Sequence, residues 1–318
     1  MPRNHPGAPD CRMGSDLFQG YTMQNTAPVS TTLPIGSTIR RTEVLGLTAD
    51  AVDGLESVVR VIEDRLALRA RLLVTFVNPG SRAIAVRHPQ YLRDLATFDI
   101  VLPDGSGMSM AMRTMHRVRA ARISFDSTSL APEVLRLAET GGHSVVFVGG
   151  LPGSAERASK ILQDQFPRLR VLAALHGYAS REELARKIAM LDPDIVVCGM
   201  GVLAQESLLL SLAALGWNGC GFTCGGYLDQ LSEGFVYYPP WINKLNLRWA
   251  FRLAKEPRRL WRRYLLDYPS FVMAVAFRTG QGLLRFPHVG STAMTGVHAT
   301  ASVAMQAVAD DKQTGAAE

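Results

Sequence analysis

An acidic residue occurs in the segment Pro103-Asp104-Gly105-Ser106-Gly107, directly after the short strand predicted over 99–102. A carboxylate at a strand end, beside glycines, lies at an open pocket rim and can act as general base for a hydroxyl nucleophile. An aspartate in a turn can equally well cap the helix that follows. Both explanations of Asp104 remain open from the sequence.

A second glycine-rich turn, Gly199-Met200-Gly201, follows a predicted strand and precedes a predicted helix. It resembles the dinucleotide fingerprint, which normally has an acid about twenty residues further on. No acid occurs in Asn218-Gly219-Cys220-Gly221-Phe222, which argues against a nucleotide-dependent oxidoreductase. The free amides of such a turn suit a phosphate. Gln205 and Glu206 follow in the first helical turn, where they can reach a sugar or phosphate, or cap the helix.

Two features of the sequence indicate how a phosphate would be bound. They are Arg122 and the small number of possible metal ligands. An arginine can bind a diphosphate through two parallel hydrogen bonds, although a surface arginine is the ordinary explanation of Arg122. The acids of Asp192-Pro193-Asp194 precede a strand, and Cys220 and Cys224 have no second pair or nearby histidine. The sequence therefore predicts no metal site and no cofactor, and group transfer without an obligatory metal.

Alternating helix and strand patterns surround these turns. Helices are predicted over 51–70, 81–96, 181–191 and 204–215 and from residue 154, and strands over 72–77, 99–102, 144–148, 170–174, 194–198 and 219–224. This alternation indicates the α/β class, with a Rossmann-like parallel sheet covered by helices. Ligands of such sheets bind beyond the carboxyl ends of the strands, where the glycine-rich turns lie.

The predicted organisation is a disordered tail over 1–40, an α/β core over 41–235, a basic helical C-terminal appendage over 236–284 and a disordered tail over 285–318. Both tails are rich in small and polar residues without a sustained period. No apolar run is long enough to span a bilayer, and no signal peptide is recognisable. We therefore expect a cytoplasmic protein.

The appendage carries most of the excess positive charge. The whole chain is +6, and the window 241–263 has three of the four tryptophans and one acid, Glu256. Its eight basic residues are Lys244, Arg248, Arg252, Lys255, Arg258, Arg259, Arg262 and Arg263. Such asymmetry indicates an anionic partner, either a membrane surface or phosphates. The first four recur at helical spacing, which predicts an amphipathic helix before Pro257.

Two placements of this helix remain open. It can lie in a lipid interface, or it can pack on the core with a solvated basic face. Nucleic-acid binding is not expected, because no recognised nucleic-acid-binding module accompanies the arginines and aromatic residues.

Taken together, these motifs resemble the WecG/TagA/CpsF family of bacterial glycosyltransferases (glycosyltransferase family 26). The resemblance covers roughly Thr42 to Tyr268. Its motifs, in order, are Asn78-Pro79, Pro103-Asp104-Gly105-Ser106-Gly107, Arg122, Phe147-Val148-Gly149-Gly150, Gly199-Met200-Gly201-Val202-Leu203-Ala204-Gln205-Glu206, Gly225-Gly226-Tyr227-Leu228-Asp229 and Trp249-Ala250-Phe251-Arg252-Leu253-Ala254-Lys255-Glu256-Pro257-Arg258-Arg259. The common order and spacing make the resemblance specific.

The resemblance implies an inverting transfer of a sugar from a UDP donor to a polyprenyl-diphosphate-linked saccharide, in exopolysaccharide or cell-surface polysaccharide synthesis. It implies a peripheral location on the cytoplasmic face of the inner membrane, with Asp104 as the base. Arg122 and Gln205 match positions that hold the donor diphosphate and sugar. The other expected substrate-binding residues are Asn78, Gly149, Gly150, Gly199, Gly201 and Glu206. The appendage residues expected at the membrane or acceptor are Trp241, Lys244, Arg248, Trp249, Arg252, Arg258, Arg259 and Arg262.

The chain departs from the family pattern at several positions. Phe76 stands two residues before Asn78, where relatives usually have Thr, and Leu203 replaces a Pro. The other departures are Phe125-Asp126-Ser127-Thr128-Ser129-Leu130 for Gly-x-Asp-Leu, Val236-Tyr237-Tyr238-Pro239 for Lys-Arg-Ala-Pro, and Arg248 for an acid. A non-catalytic, membrane-associated subunit of a polysaccharide assembly complex is therefore the alternative. Donor sugar, linkage, acceptor glycan and oligomeric state are left open.

Overall fold

Six parallel strands form the central sheet. The structure is a computed structural model that describes residues 39–234, 237–239, 241–242 and 248–284. The strands are β3 (Leu72–Val77), β4 (Ile100–Pro103), β5 (Ser144–Gly149), β6 (Arg170–Leu175), β7 (Ile195–Gly199) and β8 (Cys220–Thr223). Their order across the sheet is β4-β3-β8-β7-β5-β6. The predicted α/β class with a Rossmann-like parallel sheet is confirmed. The predicted tails, apart from residues 39 and 40, lie outside the described residues.

Helices cover both faces of this sheet. They are α1 (Leu55–Ala67), α2 (Pro79–Arg87), α3 (Gln90–Thr97), α4 (Ser106–His116), α5 (Leu130–Gly141), α6 (Ser154–Gln165), α7 (Arg181–Leu191), α8 (Ala204–Ala214) and α9 (Tyr227–Ser232). Strand side chains alternate between two buried clusters, as the pleat requires. Val74 and Phe222 point into one cluster, and Leu73 and Val196 into the other.

An antiparallel hairpin, β1 (Arg40–Val44) and β2 (Leu47–Ala51), precedes the sheet and was not predicted. Consequently, the helix predicted over 51–70 was wrong at its start and begins only at Leu55. The buried carboxylate of Asp50 explains why this hairpin is stable. It accepts hydrogen bonds from the Arg41 guanidinium (Nε to Oδ1, 2.9 Å) and from the amide of Val101 on β4 (2.7 Å). The hairpin thereby covers the edge of the sheet at β4.

The single helix predicted over 81–96 was also wrong, because the chain forms α2 and α3 there. The break falls at His88 and Pro89. Proline lacks an amide hydrogen and disfavours helical backbone at the preceding residue. The start of α2 is set by Asn78, whose side-chain oxygen accepts the amide of Gly80 at 3.0 Å.

The C-terminal segment contains α10 (Arg248–Lys255), α11 (Pro257–Arg262), a π-helical turn (Arg263–Asp267) and α12 (Tyr268–Leu284). Pro257 is the first residue of α11, where its missing amide hydrogen removes no helical hydrogen bond. Phe271 is 1% exposed and belongs to the second core cluster. The chain divides into two compact units after Val275. Within the described residues, every helix falls short of the length and hydrophobicity needed to cross a bilayer.

The carboxyl ends of β5 and β7 approach each other through two glycines. Gly149 pairs with Gly199, and a Cβ atom built on Gly149 would lie 2.2 Å from the carbonyl oxygen of Gly199. Gly149 also has a φ of +137°, which side-chain-bearing residues rarely adopt. The two strands can therefore end side by side only if position 149 is glycine.

Gly149→Ala should lower the free energy of unfolding by about 3 kcal/mol, through backbone overlap and conformational strain. Gly216→Ala is the matched control. Its φ is +86°, but nothing lies within 4 Å of its added Cβ, so strain alone remains, about 1 kcal/mol. Urea unfolding of both variants measures the difference. Equal losses would show that the contact between β5 and β7 is not as close as described.

Candidate active site

A cavity of about 550 Å³ opens at the carboxyl edge of the sheet, where β3, β4 and β8 end. Its volume lies within the range of small-ligand sites. Polar side chains from the sheet and its loops line it, with arginines and aromatic rings from the C-terminal segment opposite. The predicted site residues among its lining are Asn78, Asp104, Arg122, Gln205, Arg248, Trp249 and Arg252. The fold thus gathers residues that are far apart in sequence.

Asp104 lies at this edge directly after β4 and is half-buried. Its amide donates to the carbonyl of Val77 (2.8 Å), which joins the ends of β4 and β3. Its Oδ1 accepts a hydrogen bond from the hydroxyl of Ser124 at 2.5 Å. The N-cap of α4 is Gly105, without a side-chain cap, so the helix-capping explanation of Asp104 was wrong. The carboxylate instead faces the cavity.

Backbone contacts hold the two amide side chains of the site, Asn78 and Gln205. Both are buried and both line the cavity. The Oε1 of Gln205 accepts the amide of Gly225 (3.1 Å), while its Nε2 donates to Glu206 (3.0 Å). Gln205 therefore links the start of α8 to the loop after β8.

Glu206 is fully buried and is not among the residues that line the described cavity. Its Oε2 accepts the amide of Leu203 (2.7 Å), and its Oε1 accepts the hydroxyl of Thr75 (3.1 Å). Thr75 is in turn 2.9 Å from the hydroxyl oxygen of Thr223. Burial raises the pKa of Glu206 above its ordinary value of 4.5. The position of Glu206 indicates that it holds Gln205 and the ends of β3 and β8.

Leu203 has a φ of +80°, a conformation closed to proline. Proline would also remove the amide that Glu206 accepts. Leu203, in place of the family's Pro, therefore allows a loop conformation that proline could not adopt.

The four predicted substrate-binding glycines also lie at the carboxyl edge, but the described lining of the cavity does not include them. Gly150 donates its amide to the carbonyl of Gly199 at 3.1 Å. A Cβ on Gly150 would lie 2.6 Å from a carboxylate oxygen of Asp229 on α9. Gly201 has a φ of +83°. Close packing and backbone conformation account for these glycines, and substrate contact by them stays a prediction.

Two basic side chains of α10, Arg248 and Arg252, line the cavity, whereas Lys255 is exposed. Arg248 donates to Asp126 (Nη1 to Oδ2, 3.0 Å) and to Thr128 (Nη2 to Oγ1, 2.8 Å). Lys255 pairs with Glu233 and lies 4.4 Å from the ring centre of Tyr237. The solvated basic face of the packed alternative is therefore not found at Arg248, whereas the placement of this helix in a lipid interface stays a prediction. Of the other predicted appendage residues, Trp241, Arg258 and Arg262 are exposed, whereas Lys244 and the Arg259 side chain lie outside the description.

Sequence reasoning missed Ser124 as a site residue, and also Arg263 and Tyr268. Arg263 and Tyr268 are five residues apart, and the π-helical turn places both beside the cavity. A Cβ on Gly80 would lie 3.3 Å from each of them, so they pack directly on the start of α2. In the sequence, Arg263 was only one of the eight basic residues of the window 241–263, because no sequence pattern indicates the π-helical turn.

Two arginine nitrogens at the cavity lack partners. The Nε atoms of Arg252 and Arg263 are buried and have no hydrogen-bond partner among the described residues.

Nowhere in the described part of the chain do three His, Cys, Asp or Glu side chains form a group that could hold a metal ion.

The fold and cavity define a Rossmann-like α/β protein with a ligand-sized site at the carboxyl edge of its sheet. The chain belongs to the Glycosyl transferase WecG/TagA/CpsF family, whose model matches residues 42–282. The predicted family and enzyme class, a glycosyltransferase, are thus confirmed.

Similar proteins include the UDP-Gal:alpha-D-GlcNAc-diphosphoundecaprenol beta-1,4-galactosyltransferase of Shigella boydii, with 28% identity over 67% of this chain and 88% of that protein. The N-acetylglucosaminyldiphosphoundecaprenol N-acetyl-beta-D-mannosaminyltransferase of Bacillus subtilis (strain 168) has 26% identity over 64% and 78%. A protein of the same name from Staphylococcus aureus (strain MW2) has 26% identity over 64% and 80%.

Glu206→Gln should change how stability depends on pH. The folded-state pKa of Glu206 is raised, so its contribution is fully present below the ordinary pKa of 4.5 and is lost as the pH rises through the folded pKa. The Glu206→Gln variant should not show this loss of stability as the pH rises. It should also be less stable by about 1–3 kcal/mol at low pH, because an amide nitrogen then meets a backbone donor.

Urea unfolding at a series of pH values above 4.5 tests this expectation. Glu156→Gln, an exposed change on α6, is the matched control and should follow the wild-type curve. Parallel curves for wild type and Glu206→Gln would contradict a raised pKa at Glu206.

Proposed function

We propose that this protein transfers a sugar from a UDP donor to a saccharide carried on polyprenyl diphosphate, with inversion and without a metal ion. The process would be bacterial exopolysaccharide or cell-surface polysaccharide synthesis. The observation that carries the proposal is the Asp104 carboxylate, which faces a cavity lined by three arginines besides the paired Arg248. The names of the relatives support the substrates, since they specify a UDP-galactose donor or diphosphoundecaprenol-linked acceptors.

Asp104 is the proposed general base. Its Oδ1 is bound by Ser124, so its Oδ2 would take the proton of the acceptor hydroxyl. As that proton leaves, the acceptor oxygen forms a bond to the anomeric carbon, and the bond from that carbon to the diphosphate oxygen breaks. The proton then passes from Asp104 to solvent, and UDP departs with the electron pair. A base within hydrogen-bond reach supplies this step.

Inversion is supported by the number of available carboxylates. Asp104 and Asp126 are the acids among the described cavity-lining residues, and Asp126 is paired with Arg248. A single displacement requires one base, whereas retention through a covalent intermediate requires a second carboxylate as nucleophile. The site therefore favours a single displacement from the face opposite the leaving group.

Positive charge for the leaving diphosphate would come from Arg122, Arg252 and Arg263. Preorganised donors of this kind stabilise charge that develops in the transition state. The unpartnered Nε atoms of Arg252 and Arg263 favour an anionic occupant, because a buried guanidinium nitrogen without a partner is costly. These arginines support transfer without a metal.

The C-terminal segment is the proposed contact with an anionic membrane, on the cytoplasmic face. It exposes Trp261, Leu265 and Leu266, and also Trp249 of the cavity lining, each between 45% and 60% accessible. Arg258 and Arg262 are exposed on α11. Apolar side chains beside exposed arginines suit the interface of an anionic bilayer. Such docking would bring the cavity close to a lipid-linked acceptor.

Asp104→Asn should abolish most acceptor-dependent release of UDP while leaving UDP binding intact, because an amide cannot accept the proton. Loss of a general base typically slows turnover about 10²–10⁴-fold. The assay uses UDP-glucose, UDP-galactose, UDP-N-acetylglucosamine, UDP-N-acetylmannosamine and UDP-glucuronic acid, with a prenyl-diphosphate-linked saccharide, in EDTA. UDP binding is measured by calorimetry.

Asp164→Asn, an exposed change on α6, is the matched control and should retain turnover. Retained turnover by Asp104→Asn would remove Asp104 as the base. Release that EDTA abolishes would contradict metal independence. Failure of the wild type to bind UDP would favour the non-catalytic alternative.

Trp261→Ala with Leu265→Ala should weaken binding to vesicles that contain anionic phospholipid at least about tenfold, because burial of each side chain contributes roughly 1.5–3 kcal/mol. Co-sedimentation at several salt concentrations measures the partitioning. Leu68→Ala, a 75% exposed leucine next to α1, is the control and should bind as wild type. Equal binding by all three proteins would exclude the C-terminal surface as the membrane contact.

A further inference from the structure

The hydroxyl of Ser124 makes the shortest hydrogen bond described to the proposed base, 2.5 Å to Oδ1 of Asp104. We propose that Ser124 is a positioning residue, which orients the carboxylate so that Oδ2 is the oxygen that accepts the proton. This inference rests on the proposed function, because it requires Asp104 to act as the base.

Ser124 can orient another side chain because its own backbone is held. Its carbonyl accepts the amide of Leu130 (3.1 Å), and its amide donates to the hydroxyl of Ser129 (3.4 Å). The neighbouring side chains of Ile123 and Phe125 are buried in the core, 1% and 5% exposed. The hydroxyl therefore projects into the cavity from a fixed segment.

The direction of the hydrogen bond follows from the chemistry of its partners. An ionised carboxylate can only accept, so the single hydroxyl proton of Ser124 must point at Asp104. The distance is typical of a hydroxyl bonded to a charged oxygen. Rotation of a carboxylate about its terminal bond is otherwise loosely restrained. One occupied oxygen fixes the plane of the group, and the other oxygen is left for the acceptor.

The charged and titratable groups around Asp104 come from two parts of the chain. The C-terminal segment contributes Arg252, Arg263 and Tyr268 to the cavity lining, and the segment that carries Ser124 contributes Arg122. Asp126 lines the same cavity but is paired with Arg248. Removal of the Ser124 hydroxyl leaves all of these groups in place, so its effect can be measured separately.

Ser124→Ala should lower kcat by about 10- to 10²-fold, because a loosely held base spends less time in the reactive orientation. UDP binding should be unchanged. KM for donor and acceptor should stay unchanged, because the Ser124 hydroxyl orients the base and does not bind substrate. Ser124→Thr keeps the hydroxyl and should restore most of kcat.

Ser159→Ala controls for loss of a buried serine hydroxyl outside the site, and thermal unfolding of each variant shows that it is folded. A lower kcat accompanied by a raised KM, or one that Ser124→Thr does not restore, would assign Ser124 a merely structural role and overturn the inference. Adding Ser124→Ala to Asp104→Asn should have no further effect on residual turnover. Turnover retained by Asp104→Asn alone would instead overturn the proposed base, so the two failures are distinguishable.

Discussion

The buried carboxylate of Glu206 is the interaction on which the geometry of the site depends. Through Thr75 and Thr223 it connects the ends of β3 and β8, and through Gln205 it reaches the loop after β8. A buried polar network of this kind is stable only when every member has its partner. These contacts fix the ends of β3 and β8 relative to each other, and the cavity lies beside those ends. Catalytic side chains attached to such rigid elements need little reorganisation when a substrate binds.

The C-terminal segment depends on the core for its position. Phe271 is buried in the second core cluster. Arg263 packs directly against Gly80, where an added Cβ would lie 3.3 Å from its Nε. Arg248 is bonded to Asp126, in the segment that also carries Ser124. One short stretch after Arg122 therefore contacts both the proposed base and the first helix of the appendage. Two departures from the family pattern, at 125–130 and at 248, meet in this contact.

The glycine-rich turns show how a single residue type serves different purposes. Gly149 allows two strand ends to approach, Gly150 makes room for Asp229, and Gly105 begins α4 at a φ of +84°. The sequence alone placed all of these turns at the carboxyl ends of strands, where ligands of parallel sheets bind. In the structure, packing explains Gly149 and Gly150, whereas Gly105 lines the cavity beside Asp104. The spacing of glycines in the sequence cannot distinguish these roles. Each role depends on which atoms lie near the place where a Cβ would be.

The sequence by itself determined the α/β class, the six strands of the parallel sheet in their order along the chain, and the family. Helical and strand periodicities record burial, and burial follows from local patterns of apolar residues. Asp104, Arg122 and Gln205 were identified because they occupy strand ends or match family motifs. Only the tertiary structure decided that Glu206 is buried, that Arg248 pairs with Asp126, and that Ser124 and Arg263 belong to the site. Those outcomes depend on contacts between segments far apart in the chain, which no local pattern encodes.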